Sequence, residues 1–394
     1  STRFLALALA VMMLALTACG GGGDSSTPSG GDKTPATDNN TPGTGSQTPA
    51  STEGDTQVFN VSTKSFGNNY DVQDMGWRWM MGDCYEGLYR NVADESGEHF
   101  ILAGAESVDV SEDETVYTYH LRKDAKWSDG QPVTAHDYEY GWKRLENPEY
   151  GYSYASFLYN VVGAEEYNKG TGSADDMKAV ALDDYTFEVT LKVPDPTFEA
   201  KLVATPCYPT REDIAEAAGD QWGKDWKLCV YNGPFCMSEL VEDNKMVWTK
   251  NPHYWDADNT HLETINWYIV TEDSTASTIF DNGELDQLQP TSAAEAGELQ
   301  RRETDYPGCI GLTFNFAGND PSGLMGNAKI RKAISYCIDR EEIIEAIYGR
   351  YKPAYGYVNP AITFEGESYR AQVGEIIYDE YLEYNNNPEK LQAL

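Results

Sequence analysis

From Val58 onward the chain alternates in a way that predicts a first strand, with Val58, Asn60 and Ser62 on one side and Phe59, Val61 and Thr63 on the other. Tyr117, Tyr119 and Leu121 fall on one face of a second alternating run. Asp129-Gly130 then signals a tight turn. Thr134 stands three residues before Asp137, a capping-box spacing that starts a helix. Tyr138, Trp142 and Leu145 follow at i, i+4 and i+7 and share one face of that helix. Phe187, Val189 and Leu191 alternate again before Pro194 stops the run. Asn232-Gly233-Pro234 reads as a turn between two strand-like runs, and Lys250 to Asp256 as a Pro-broken loop. Ile265, Trp267 and Ile269 form another strand face. Asp273 is placed to cap a helix carrying Ala276, Ile279 and Phe280, which stops at Asn282-Gly283. Ile310 to Phe316 predicts a further strand, and 328–338 a helix. Asp339 with Glu342 caps the next helix, which is expected to end at Gly349. Strands and helices mix without a strict βαβ rhythm, so the expected class is mixed α/β, built of α+β lobes.

The N-terminus adds a compartment. Arg3 precedes an unbroken apolar run from Phe4 to Leu16, too short to span a bilayer and right for a signal-peptide core. It ends in Leu16-Thr17-Ala18-Cys19, small residues before a Cys. That order is similar to the lipobox of bacterial lipoproteins, which makes 1–19 a signal peptide with its lipobox and Cys19 the expected lipidation site and mature N-terminus. No Met precedes Ser1, so the true start is expected upstream. Residues 20–56 are Gly, Ser, Thr, Pro, Asp and Asn with almost nothing apolar, and read as a disordered tether between a lipid and a folded body. The 394-residue length is more than one core usually serves.

Charge excludes one class of partner. With 29 basic and 64 acidic residues the formal charge is −35. Nucleic acid is not expected, because a phosphate backbone needs clustered Lys and Arg. Acidity on this scale serves solubility at a cell surface, or steers cationic ligands. The 27 Tyr suit adaptable recognition surfaces and half-buried sheet positions alike. Beyond Cys19, six cysteines remain, an even number that permits disulfides in an exported protein. Cys229 and Cys236 flank a turn and are the pair to examine first. No C-x-x-C occurs, so a zinc ribbon or thioredoxin-like motif is not indicated.

Several blocks, in order, resemble family 5 extracellular solute-binding proteins, the oligopeptide-, dipeptide- and nickel-binding group. They are Tyr85-Glu86-Gly87-Leu88, Tyr117 through Arg144, Asp184 through Leu191, and Asn232-Gly233-Pro234-Phe235. Lys250 through Asp256, Asn282 through Asp286, Arg331 through Tyr336 and Ile338-Asp339-Arg340 complete the series. The resemblance runs from about residue 57 to the end. It implies a two-lobed, periplasmic-binding-protein type II-like fold with an extra subdomain, whose lobes close over a ligand. Residues 57–305 are then the first lobe with its inserted subdomain, and 306–394 the start of a second lobe that is incomplete at the C-terminus. It implies capture of short peptides for the permease subunits of an ABC importer, with membrane attachment through lipid and a monomeric protein. Such members hold peptide backbones and end charges while roomy pockets accept varied side chains. No cofactor, metal or catalytic residue is implied.

In the oligopeptide binders a Tyr after the capped helix approaches the ligand, and Tyr154 or Tyr159 is similar here. A hinge-side strand contributes another Tyr and an acidic residue, whose nearest matches are Tyr306 and Thr313. The acidic position has become Thr, and Gly311 stands where a second Tyr is expected. Each Tyr reads equally as a half-buried surface ring. The family also admits a nickel complex, haem, a sugar or a signalling peptide as ligand.

A secreted hydrolase is the reading from another class. No G-x-S-x-G elbow and no H-E-x-x-H occurs. The five histidines are His99, His120, His136, His253 and His261; His120 and His136 read as structural. Gly219 to Lys224 is one residue short of a P-loop and lacks its Ser/Thr. Carboxylates abundant enough for a glycosidase pair track the net charge. At the other end, Asn387 caps and Pro388 opens a helix whose stripe, Leu391 and Leu394, has only begun when the sequence stops. This spacing and the family resemblance together lead us to expect a longer receptor.

Overall fold

A computed structural model describes residues 57–74, 79–94, 97–288, 308–309, 311–315, 320–346, 351–364, 367–385 and 387–394. The chain divides into two compact units, Ser1–Asp55 and Thr56–Leu394, and the described residues belong to the second. The predicted signal segment, Cys19, the tether and Tyr306 lie outside the described residues.

The first sheet is built on β1 (Val58–Thr63). A hairpin of β2 (Tyr89–Asp94) and β3 (Gly97–Leu102) follows. The second sheet holds β4 (Ala105–Val110), β5 (Val116–Leu121), β6 (Ala179–Asp183) and β7 (Thr186–Thr190) in the antiparallel order β4-β5-β7-β6. The first sheet is completed by β8 (Phe235–Val241), β9 (Lys245–Lys250) and β10 (Thr264–Ile269) in the order β1-β10-β9-β8. β1 and β10 pair in parallel, Val58 opposite Thr264 through Thr63 opposite Ile269. Parallel neighbours require a crossover; here the hairpin and the whole second sheet lie inside it.

The second sheet follows the sequence pattern closely. Tyr117, Tyr119 and Leu121 are buried on one face of β5, and Phe187 and Val189 on the same face of its neighbour β7. That face receives α1 (Ala135–Glu146), through Tyr138, Trp142 and Leu145, none of which is exposed. Trp142 meets Phe187 edge-on at 5.0 Å and Phe198 at 6.4 Å, and its indole N–H donates to the Cys207 carbonyl at 2.8 Å. The helix starts where the capping box predicts. Asp137 Oδ2 accepts from the Thr134 amide at 2.7 Å, the Thr134 hydroxyl at 3.1 Å and Trp127 Nε1 at 3.3 Å.

In the first sheet Ile265 and Trp267 turn inward from β10, and Trp267 packs on Trp248 of β9 at 5.3 Å. The helix after β10, Asp273–Asp281, begins one residue earlier than predicted. Glu272, with extended backbone angles, occupies the cap, so Asp273 is the first helical residue and its charge sits in the first turn. Gly283 follows at φ +76°, the left-handed conformation that ends a helix without Cβ strain. Asp286 then binds β1: its carboxylate accepts from the Asn60 amide at 2.7 Å, and its own amide donates to the Asn60 carbonyl at 2.8 Å.

Beyond residue 308 a smaller tyrosine core forms from Tyr336, Tyr355 and Tyr381, with Leu391 packed against it. Asn327 caps Ala328–Cys337, and Asp339 accepts from the Glu342 amide at 3.0 Å to cap Arg340–Ala346, as the spacing predicts. Asn387 caps Pro388–Ala393 by accepting from the Lys390 amide at 3.1 Å.

One expected strand is absent among the described residues, and the cysteine pair singled out for examination is not bonded. Residues 311–315 form no strand: Gly311, Leu312 and Thr313 are exposed, and no described strand pairs with them. An apolar-rich run becomes a strand only when a neighbour takes its backbone groups. Cys229 and Cys236 are not bonded to each other; all six described cysteines are free. Cys236 lies in β8, and Cys229 turns toward the Tyr70 carbonyl at 3.9 Å.

Two measurements check this packing. Trp142→Ala should lower unfolding free energy by roughly 3–5 kcal/mol, read from urea titration, since it empties an aromatic site. Site-resolved alkylation of the native chain should label Cys309 and Cys337 first, and Cys84 and Cys207 only in denaturant. Recovery of Cys84 in a disulfide would contradict the fold.

Candidate functional site

The blocks that the sequence singles out converge on one buried carboxylate. Glu86, 5% exposed, accepts from Tyr254 Oη at 2.6 Å and from Trp255 Nε1. Arg90 approaches it at 3.6 Å, donates to Tyr254 Oη at 3.0 Å and pairs with Asp256 at 3.2 Å. Arg122 lies 3.6 Å over the Trp255 ring. Burial raises the Glu86 pKa; Trp255, Tyr254 and Arg90 act in the opposite direction. The backbone of the same residue is clasped by Asn232, whose Oδ1 accepts from the Glu86 amide at 3.0 Å and whose Nδ2 donates to its carbonyl at 2.8 Å. Gly233 makes this contact possible, because a Cβ there would lie 2.6 Å from the Cys84 and Tyr85 backbone. These motif residues therefore hold the fold together and are saturated by one another.

A second knot lies at the end of α1. Arg144 donates to Asp71 Oδ1 at 2.8 Å and to Gln73 Oε1 at 3.3 Å. Tyr152 donates to Asp71 Oδ2 at 2.6 Å, and the Tyr150 ring lies 4.5 Å from the guanidinium. The loop that carries these rings continues into the predicted contact residues. Tyr154 is half-buried, precedes the turn Ala155–Leu158 and packs edge-on against Phe157 at 5.2 Å. Tyr159 is half-buried too, and its hydroxyl donates to Asn168 Oδ1 at 2.6 Å. The structure brings Tyr154 and Tyr159 onto one segment, while Thr313 is exposed on the unpaired stretch described above. Sequence reasoning missed Asp71 and Arg144, which lie 73 residues apart and carry no local signal of partnership.

The histidines make no catalytic arrangement among the described residues. His120, on β5, and His136, at the start of α1, face carboxylates, Asp109 at 2.9 Å and Asp184 at 3.6 Å. No cluster of His, Cys, Asp or Glu among the described residues is arranged to hold a metal. An open groove of about 660 Å³ runs past Glu106, His120, Lys123 and Tyr185, and neither Tyr154 nor Tyr159 lines it.

The sequence profile of bacterial extracellular solute-binding proteins, family 5 Middle, matches residues 100–394. The chain belongs to this family. Among solute-binding relatives, it is 33% identical over 334 residues to the dipeptide-binding protein DppE of Bacillus subtilis, covering 83% of this chain and 60% of that one. It is 31% identical over 286 residues to the periplasmic oligopeptide-binding protein OppA of Salmonella typhimurium, covering 71% of this chain and 51% of that one. A solved structure of Listeria monocytogenes OppA bound to peptide superposes with a TM-score of 0.71 at 28% identity, over 81% of this chain and 65% of that one. The fold is therefore that of the OppA-type binding proteins, mixed α/β, and the chain spans between about half and two thirds of these relatives' length.

One buried group belongs to neither knot. Glu146, in the last turn of α1, is fully buried, and neither carboxylate oxygen has a hydrogen-bond partner among the described residues. A helix C-terminus disfavours negative charge. Burial pushes its pKa up to about 9, against the pull of Lys192, the charged group that faces it alongside the buried Cys207 thiol. The folded chain thus holds a proton that the unfolded chain releases above its ordinary pKa of 4.5. This contribution to stability is complete below about pH 4.5 and is lost as pH rises toward 9. Between these limits the stability of wild type should fall more steeply with pH than that of Glu146→Gln, by about 1.4 kcal/mol per unit. Parallel curves from urea titrations at pH 5, 7 and 8.5 would remove Glu146 from the account.

Proposed function

We propose that this chain is the substrate-capture component of an ABC importer, taking short peptides between two lobes and passing them to the membrane permease. The observation that carries the reading is the match to dipeptide- and oligopeptide-binding relatives, extending over 83% of the chain in the first case. The site agrees in kind. An aromatic segment, 150–159, is mounted on a rigid ionic knot and offers rings, while the charged groups around it are engaged internally. Rings and backbone recognise peptides of many sequences, because neither demands one side chain. The reading requires no chemistry on the ligand, which leaves unchanged.

The organisation proposed with it is a signal peptide with lipobox over 1–19, cleaved before Cys19 so that Cys19 carries the lipid at the mature N-terminus, a tether over 20–56, a first lobe with an inserted subdomain over 57–305, and second-lobe sequence over 306–394. Such a protein sits on the outer face of the cell membrane as a monomer. Tyr154 is the first candidate for ligand contact. Tyr159 would contribute its ring only, since its hydroxyl is committed to Asn168. Tyr306 and Thr313 are the candidates from the other side.

Mass spectrometry of ligand released from protein purified under native conditions should show intact short peptides. Calorimetry should give micromolar affinity or better, roughly −8 kcal/mol. Consistent recovery of a sugar, haem or a nickel complex instead would move the assignment within the family. Cys19→Ser should shift the protein from the membrane fraction to the soluble one; unchanged fractionation would remove the anchor from the proposal.

A further inference from the structure

We infer that Asp71, Arg144 and Asn168 are positioning residues that hold the aromatic segment 150–159 in its recognition geometry before ligand arrives. The inference rests on the reading that Tyr154 faces the peptide.

The segment is strapped at both ends to the last turn of α1. At its start, Arg144 and Asp71 form an ion pair whose side chains are only 7% and 8% exposed. Tyr152 donates to the second oxygen of Asp71, and its ring stacks on Tyr150 at 5.3 Å and 26°. The guanidinium faces both rings, at 4.5 and 5.2 Å. Gln73 steadies the pair from behind, accepting from Thr210 Oγ1 at 2.8 Å and donating to the Tyr208 carbonyl at 3.1 Å. At the far end Tyr159 donates to Asn168, whose Nδ2 donates in turn to the Glu146 carbonyl at 3.2 Å. Between the straps, Ala155 and Leu158 are buried and hold the short turn that follows Tyr154.

Stability alone does not account for the ion pair. Two charges taken out of water cost desolvation, and a well-packed apolar pair usually serves as well. What the guanidinium adds is direction: its Nη1 holds Asp71 and Gln73 together while its charge faces both rings. A loop ordered in advance gives up no conformational freedom at the moment of capture, so the arrangement raises affinity through preorganisation.

The test uses the ligand-free chain and the variants Tyr152→Phe, Asn168→Ala and Arg144→Lys. Hydrogen exchange read by mass spectrometry should accelerate about tenfold over 150–160 in each, while α1 and the sheets keep their protection. Tyr152→Phe removes one hydrogen bond and Asn168→Ala two, with no buried charge lost, so they report even where Arg144→Lys fails to fold. Tetra-alanine, titrated by calorimetry, should bind both mild variants at least fivefold more weakly at unchanged melting temperature. Unchanged exchange over 150–160 would overturn the inference whatever the affinities. Faster exchange with unchanged affinity, in a wild type that binds, would overturn it as well. A wild type that binds no peptide would instead sink the peptide reading, and exchange alone would then decide whether the straps order the segment.

Discussion

The structure turns on the burial of the Glu86 carboxylate. A charge removed from water costs several kcal/mol unless donors surround it, and here those donors come from distant parts of the chain. Tyr254 and Trp255, in the loop after β9, donate to it, while Arg90 in β2 and Arg122 just beyond β5 act on it through their charge. Bringing them to one carboxylate fixes where the first sheet, the hairpin and the second sheet stand relative to one another. Asn232 and Gly233 add a backbone clasp that tolerates no side chain at the glycine. The packing of α1 on the second sheet and the docking of Asp286 on β1 take place inside this frame.

Local order was legible because its causes are local. Alternation in β5, β7 and β10 follows from the two-residue period of a pleated strand, with the apolar set facing a core. The start of α1 followed from a carboxylate three residues beyond a threonine. Pairing partners are another matter. Nothing near Val58 announces that Thr264 lies beside it, because a parallel ladder is chosen by the whole crossover and not by either strand. The same ignorance of partners makes Ile310 to Phe316 read as a strand and singles out Cys229 and Cys236 as a pair to examine. Composition describes one segment, whereas a strand and a disulfide are both properties of two segments.

The site divides along the same line. The run from Tyr150 to Tyr159 stands out for its rings, and family resemblance pointed to Tyr154 and Tyr159 within it. The residues that hold it did not stand out. Asp71 is one acid among 64, and only the fold places it against Arg144. Conversely, the most recognisable blocks, around Glu86, Asn232 and Tyr254, turned out to be internally satisfied. A strong motif marks a place where many interactions constrain one residue, and a buried knot constrains residues as tightly as a ligand does.

That distribution bears on what the described part of the chain can do. A group that acts on a substrate must reach it, and must hold or release a proton there. Glu86 is enclosed by its donors, Asp71 is enclosed by Arg144 and Tyr152, and Asp137 is occupied by the helix start. Glu146 is sealed away with its pKa raised. Each of these four carboxylates thus does structural work or is kept neutral. In the proposed reading, the aromatic rings of 150–159 and the backbone between them are the recognition elements. Contacts of this kind grade smoothly with ligand shape and do not depend on one complementary charge, the property that the proposed capture of varied peptides would require.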